Sequence, residues 1–495
     1  MVIDWHPILE ALSWLYALSN MALALYAFNM FFLLALAIWH WRSAISPVKP
    51  APPAEWPSVL VQLPVFNERY VVERLIDAAA ALEYPSDRLT IQVLDDSTDD
   101  TAALAEARVA YYHARGRQVE YLHRTDRTGY KAGALAAGLA RSSAEYTAVF
   151  DADFVPPPDY LSKLIPEFIA DPGLGMVQAR WGHLNPHQNM LTRAMALAFD
   201  SFFSVDQVAR SYSGLMMNFN GSAGVLRRAC IDESGGWQHD TLVEDMDLSY
   251  RAQIKGWRIK YRLDVVVPGE LPASVIALKQ QQYRWAKGAT QVLRKLARPL
   301  LASKRPLLHK VQGLLHLGGY LPHPLMVIAL VLSLPVVILH GQTPISWGVL
   351  GLAALAPPLE VLWGQSRLRR DWHMSWLYYP ALFLVGIGVA VTDTRAIWDA
   401  FFGRSNVFVR TPKFAAANQR RSAYALPADW STYVELLLGI YGTASGLLAT
   451  QWAPTLAPFI LVYALGFAFT AVLGFWQSRG VRLKSRARDS QGATA

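Results

Sequence analysis

Tyr146-Thr147-Ala148-Val149-Phe150-Asp151-Ala152-Asp153 reads as a short apolar strand that delivers two acids, one residue apart, at its carboxyl end. Open α/β sheets bind their ligands at that end of the strands. Alternate residues of an extended segment face the same way, so Asp151 and Asp153 can hold one hard divalent cation between them. Such a cation can neutralise a diphosphate as it leaves. Alone, a D-x-D is equally compatible with a solvated turn, so its meaning depends on what surrounds it.

On both sides of it, short apolar strands alternate with amphipathic helices over residues 58–270, the pattern of an α/β sheet. Ser58 to Leu63, Leu89 to Leu94, Val119 to Leu122, Tyr146 to Phe150 and Gly175 to Gln178 read as strands. Glu68 to Leu82, Thr101 to Arg115 and Lys131 to Leu139 read as crossover helices. A segment of roughly 210 residues is large enough for one well-buried domain.

The flanks have a different character. Of 495 residues, 53% are hydrophobic and only 17% charged, so part of the chain lives in lipid. Residues 1–45 hold an apolar block in which Met21 to Trp41 is the better crossing, followed by a Pro-rich linker at residues 46–57. The absence of a basic stretch before it argues against a cleaved signal peptide. After amphipathic segments at residues 271–320, apolar runs return within 321–478: Pro322 to His340, Ile345 to Leu362, Trp376 to Val391, Thr432 to Thr450 and Pro454 to Trp476. The net charge of +8 lies beside these runs, culminating in a basic tail at 479–495, which suits membrane orientation better than nucleic acid. That charge predicts five true spans with the α/β block and the tail cytoplasmic, and with Trp376 to Val391 lying along the interface. A lone Cys230 excludes an internal disulfide framework and a Cys-rich zinc site.

Three further constellations accompany the D-x-D. Asp95-Asp96-Ser97 follows a strand; alone it is a turn with an Asp cap. Val243-Glu244-Asp245-Met246-Asp247 opens a helix, where an acid either caps the helix or serves as a general base for an incoming hydroxyl. Gln281-Gln282-Tyr283-Arg284-Trp285 lies on an amphipathic helix whose spacing puts Gln281, Arg284 and Trp285 on one side. There the guanidinium can pair with a pyrophosphate and the indole can stack under a sugar, although Arg and Trp also anchor interfacial helices.

Taken together and in this order, the four resemble the membrane-integrated processive members of glycosyltransferase family 2, which include cellulose synthase, hyaluronan synthase and the plant cellulose-synthase-like mannan and glucan synthases. The resemblance covers about Val59 to Lys413 and includes Pro64-Val65-Phe66-Asn67-Glu68, Tyr130-Lys131-Ala132-Gly133-Ala134-Leu135 and Phe219-Asn220-Gly221-Ser222-Ala223-Gly224. The last of these, with Val243 to Leu248, is most similar to the plant mannan and glucan branch. Bacterial cellulose synthases usually carry Thr where Val243 stands and Cys where Asn220 stands.

The resemblance implies an α/β cytoplasmic GT-A (Rossmann-like) domain inserted between transmembrane α-helices of a bacterial-type plasma membrane. It implies that Glu68, Asp96, Lys131, Gln281 and Arg284 bind the nucleotide sugar, that Asp151 and Asp153 bind Mg2+ or Mn2+, and that Asp245 is the base of an inverting transfer. Trp285, Phe219, Gly221, Ser222 and Glu244 would contact the acceptor. Phe408, Thr411 and Lys413, within residues 404–421, would form a gating loop, with Arg410 where Val is usual. The donor would be UDP-glucose or GDP-mannose and the acceptor a β-linked polysaccharide, passed through the bilayer to polysaccharide export partners. Two rivals stand beside this reading: a glycolipid glucosyltransferase acting on a ceramide or diacylglycerol acceptor, and a non-catalytic nucleotide-binding transporter or scaffold.

Overall fold

A computed structural model describes residues 6–339, 351–403 and 427–492. Its soluble part is built on one seven-stranded mixed sheet: β1 (Val59–Val65), β2 (Leu89–Asp95), β3 (Val119–His123), β4 (Tyr146–Val149), β5 (Leu174–His183), β6 (Gly224–Arg227) and β7 (Arg258–Gly269), in the order β3-β2-β1-β4-β6-β5-β7. β1 lies parallel to both β2 and β4, so the strand order reverses between β1 and β4. β6 is antiparallel to β4 and β5, whereas β5 and β7 run parallel.

The central strands are apolar because helices cover both faces. Val59, Val61 and Leu63 enter the cluster with Val72, Leu75 and Ile76 of the helix Val72–Ala80. Leu60 and Val149 face the opposite cluster with Leu135 of the helix Tyr130–Leu139. Two buried glutamines on these strands form a bonded chain. Gln62 donates to Gln92 (3.5 Å) and to the Leu135 carbonyl (3.1 Å), and Gln92 donates to Glu120 (3.0 Å).

Four described helices are long and apolar enough to cross a bilayer: Pro7–Ile45, Trp372–Phe402, Ser431–Trp452 and Ala457–Ser478. Leu307–Leu317 and Pro322–Ile338 are long and apolar enough only as a pair, and the 63° bend at their junction suits a broken span or a re-entrant loop. The N-terminal helix runs unbroken over His6–Ile45, well beyond the expected Met21 to Trp41. Ser19 and Asn20 do not interrupt it because they donate back to the carbonyls of Leu15 and Tyr16, both at 2.9 Å. Part of the expected span Ile345 to Leu362, and all of Phe408, Thr411 and Lys413, lie outside the described residues.

Trp372–Phe402 departs from expectation in length. The apolar run ends at Val391 before three charges, yet the helix continues through them because they turn toward protein. Asp393 pairs with His323 (2.9 Å), and Asp399 accepts from Tyr283 (2.5 Å). Length and composition therefore permit a crossing, but both ends touch the α/β side. Near its start Tyr378 bonds Arg193, and near its end Ala400 bonds Arg294; midway along, Val385 and Val389 pack with Leu191, Met195, Val275 and Ile276.

These contacts predict that the two ends of Trp372–Phe402 share one side of the membrane, opposite the turn between the last two helices. Single cysteines at His373, Gly403 and Gln451 in a Cys230→Ala background check this with an impermeant maleimide on sealed vesicles. His373 and Gly403 should label from the same side and Gln451 from the other; labelling of His373 and Gly403 from opposite sides would make the segment a span.

Candidate functional site

The carboxyl ends of β1, β2 and β4 open into one cleft of about 180 Å³, at the switch point where such sheets place ligands. Beyond β1, Asn67 adopts φ +54°, and its side chain accepts from the Thr98 amide (2.8 Å) while its own amide donates to Ser97 (2.8 Å). That clasp fixes the loops after β1 and β2 against each other. Glu68 and Asp96 line the cleft there. Asp96 is held in a two-pronged pair by Arg124 (2.7 and 2.6 Å). Its neighbour Asp95 turns inward and accepts from Ser97 (3.0 Å), Tyr121 (2.8 Å) and His123 (2.9 Å), so it shapes the loop and does not face the cleft.

Lys131 stands in the middle. Its ammonium donates to Asp151 (2.6 Å) and to the Gly221 carbonyl (2.8 Å), and lies 3.6 Å from Glu244. Burial opposes this charge, but Asp151, Glu244 and Asp245 outweigh it and push the pKa up, so Lys131 is a fixed cation. Asp151-Ala152-Asp153 occupies a turn after β4 and not an extended strand. Both carboxylates still line the cleft, since the Asp151 amide is tied to Ser222 Oγ (3.0 Å) and Asp153 accepts from the Glu270 amide (3.1 Å).

The acidic helix spans Glu244–Ile254, and its cap residue is Val243, which makes no side-chain cap bond. Glu244 and Asp245 face the cleft, whereas Asp247 is buried and paired with Arg251 (2.6 Å) and Lys295 (2.8 Å). Burial, reinforced by Glu244 and opposed by Lys131, raises the Asp245 carboxyl to about 7, where it can exchange a proton near neutral pH. Gly221 makes room for it. A Cβ there would lie 2.6 Å from Asp245 Oδ2, and its φ of +79° favours glycine.

Gln281, Arg284 and Trp285 project from the helix Val275–Ala302 into the cleft on one face, as their spacing predicts. Gln281 Oε1 is buried with no hydrogen-bond partner among the described residues. Burial lowers the Arg284 pKa against the pull of Asp151, Glu244, Asp245 and Asp153. The expected acceptor contacts divide: Gly221, Glu244 and Trp285 line the cleft, but Phe219 and Ser222 do not. Phe219 is buried against Gly224, and Ser222 supports Asp151 and accepts from Trp181 Nε1 (3.1 Å) through its carbonyl.

Sequence reasoning missed the aromatic wall. Trp181 and His183, on the extension of β5 past Gln178, and Phe199 also line the cleft, with Phe199 edge-on to Trp285 at 6.2 Å. The signal was the pair Trp181 and His183, two residues apart on a continuation of the strand beyond Gln178 that is half-buried from Arg180 on. Among the described residues no three His, Cys, Asp or Glu side chains are grouped to hold a metal. Two carboxylates, Asp151 and Asp153, at the mouth of a cleft nevertheless fit a hard cation that takes its remaining ligands from water and a substrate diphosphate.

Residues 57–288 match the glycosyltransferase-like family 2 domain. The chain is 36% identical over 378 residues to glucomannan 4-beta-mannosyltransferase 2 of Arabidopsis thaliana, covering 74% of this chain and 70% of that protein. It is 34% identical over 409 residues to glucomannan 4-beta-mannosyltransferase 1 of Oryza sativa subsp. japonica, covering 80% and 77%. Among solved structures, the mannosyltransferase PcManGT from Pyrobaculum calidifontis, in complex with GDP-Man and Mn2+, superposes with a TM-score of 0.54 over 79% of this chain and 100% of that one; at 21% identity the likeness is one of fold. Likeness to the two plant proteins of this extent, running well beyond residues 57–288, shows that the chain belongs to glycosyltransferase family 2, in its cellulose synthase-like group.

Proposed function

We propose that this membrane protein is an inverting, metal-dependent mannosyltransferase that moves mannose from GDP-mannose onto a growing β-linked mannan-type polysaccharide. The observation that carries this reading is the extent of the likeness to the two glucomannan mannosyltransferases, which continues past the catalytic domain. GDP-Man bound by a protein of the same fold supports the choice of donor.

In this reading Asp245 takes the proton of the acceptor hydroxyl. The freed oxygen attacks the anomeric carbon from the side opposite GDP, which departs with the bonding pair. Lys131 and Arg284 lie where they stabilise the negative charge building on the diphosphate. Glu68, Asp96 and Gln281 hold the donor, while Trp285 offers an aromatic plate beneath the acceptor sugar, with Gly221 and Glu244 beside it. Phe219 and Ser222 act from behind, by shaping the loop that carries Gly221. A divalent cation held by Asp151 and Asp153 would add Lewis-acid charge at the leaving diphosphate. The domain faces the cytoplasm, as the basic residues Arg42 and Lys49 beside the first span indicate, and the polymer leaves through the membrane helices toward export partners.

Two sets of variants test the assignment. Asp245→Asn should lower mannose transfer by about 10²–10⁴-fold while GDP affinity stays within a few fold, because an amide keeps the shape but takes no proton. Transfer close to the parent's would remove Asp245 from the role. Asp153→Ala should lose the Mg2+- or Mn2+-dependence of GDP binding in calorimetry, whereas Trp285→Ala should keep it and lose transfer. Metal-dependent binding unchanged in Asp153→Ala would contradict the place given to the cation.

A further inference from the structure

The end of the cleft beyond Lys131, under the β1, β2 and β3 edge, contains a guanidinium that the transfer itself does not use. Arg127 lines the cleft with its guanidinium flat on the Phe66 ring, 3.3 Å from the centroid, and 5.3 Å from that of Tyr130. Its Nε is buried without a hydrogen-bond partner among the described residues. Arg124, three residues earlier, is its opposite, with donors spent on Asp96 and on the carbonyls of Thr128 and Tyr130.

The turn that presents Arg127 is over-determined. The Asp126 carboxylate accepts from the amide (2.9 Å) and hydroxyl (2.7 Å) of Thr128, and the Tyr130 amide donates to the Arg127 carbonyl (2.8 Å). Gly129 and Tyr130 take consecutive positive φ values, +77° and +48°. A bulky residue in that region is strained, and such strain persists where surrounding structure enforces it, commonly at ligand sites.

Resting on the donor-site reading above, we propose that Arg127 reads the nucleobase of the donor and selects guanine. With the diphosphate beside Lys131 and Asp151, the base lies on the Asp96 and Arg127 side of the cleft. A guanidinium pinned flat on an aromatic ring offers two parallel N–H groups in a fixed fork. Guanine matches that fork with adjacent acceptors, O6 and N7; adenine sets a donor beside N7. Uracil separates its two carbonyls by an N–H donor, so it gives the fork one acceptor. Phe66 thus fixes the plane in which Arg127 discriminates.

The test is calorimetry on the full-length protein in nanodiscs with Mg2+, using GDP, 7-deaza-GDP and UDP. Loss of N7 should weaken binding by about tenfold in the parent protein, and UDP should bind more weakly still. In Arg127→Ala, GDP and 7-deaza-GDP should converge. Equal binding of GDP and 7-deaza-GDP by the parent, which needs no variant, would overturn base reading by Arg127. So would an equal loss of both ligands in Arg127→Ala, which would assign the guanidinium to the phosphates. UDP binding more tightly than GDP would instead overturn the GDP-mannose donor itself.

Discussion

The ammonium of Lys131 is the contact on which the site depends. Three segments remote in sequence meet at it: the turn after β4 through Asp151, the glycine-rich loop through the Gly221 carbonyl, and the acidic helix through Glu244. Of the carboxylates that line the cleft, Asp151, Asp153, Glu244 and Asp245 act on Arg284 and would repel each other without it and Lys131 among them. Removing one partner of such a buried set typically costs about 3–5 kcal/mol, because a charge is left uncompensated. Burial, reinforced by Glu244, lifts the Asp245 carboxyl, and Lys131 opposes that rise, so the contact that holds the cleft together also moderates the group proposed to act in it.

A second constraint joins this cleft to the membrane. The helix Val275–Ala302 carries Gln281, Arg284 and Trp285 into the cleft, and from the same helix Lys279 reaches Glu435 (2.6 Å) and Thr432 (3.2 Å) in the span Ser431–Trp452. Its first amide donates to Gln477 (2.8 Å) of the last helix. On the opposite wall His183 donates to Asp200 (3.0 Å), which also accepts from Arg369 (2.8 Å) at the end of the helix Ala356–Leu368. Both walls on the aromatic side are thus bonded to the membrane region.

Much of this was legible in the residues. Glu244 and Asp245 at the start of a helix and the helical face of Gln281, Arg284 and Trp285 reach the cleft as their spacing predicts, whereas Asp151 and Asp153 reach it from a turn and not from the extended segment their spacing suggested. Spacing did not separate Asp95 from Asp96, or Asp247 from Asp245, since that depends on which basic side chain arrives from elsewhere in the fold: Arg124 at Asp96, Arg251 and Lys295 at Asp247. β6 and β7 escaped notice for related reasons. The first is four residues long, and the second carries Arg258, Lys260, Arg262 and Asp264 toward its start. Arg262 is buried there only because Glu167 and Asp264 meet it. The length of Trp372–Phe402 was hidden in the same way, by charges whose partners lie on distant helices.

The claim that organises all of these features is that the cleft builds a mannose polymer. Purified protein in nanodiscs, given radiolabelled GDP-mannose with Mg2+ or Mn2+ beside parallel reactions with UDP-glucose, tests it when the products are sized and digested with a β-mannan-specific endohydrolase. The account predicts label from GDP-mannose in long chains that the hydrolase shortens to oligosaccharides. Label confined to a single sugar on lipid, or incorporated from UDP-glucose alone, would contradict it.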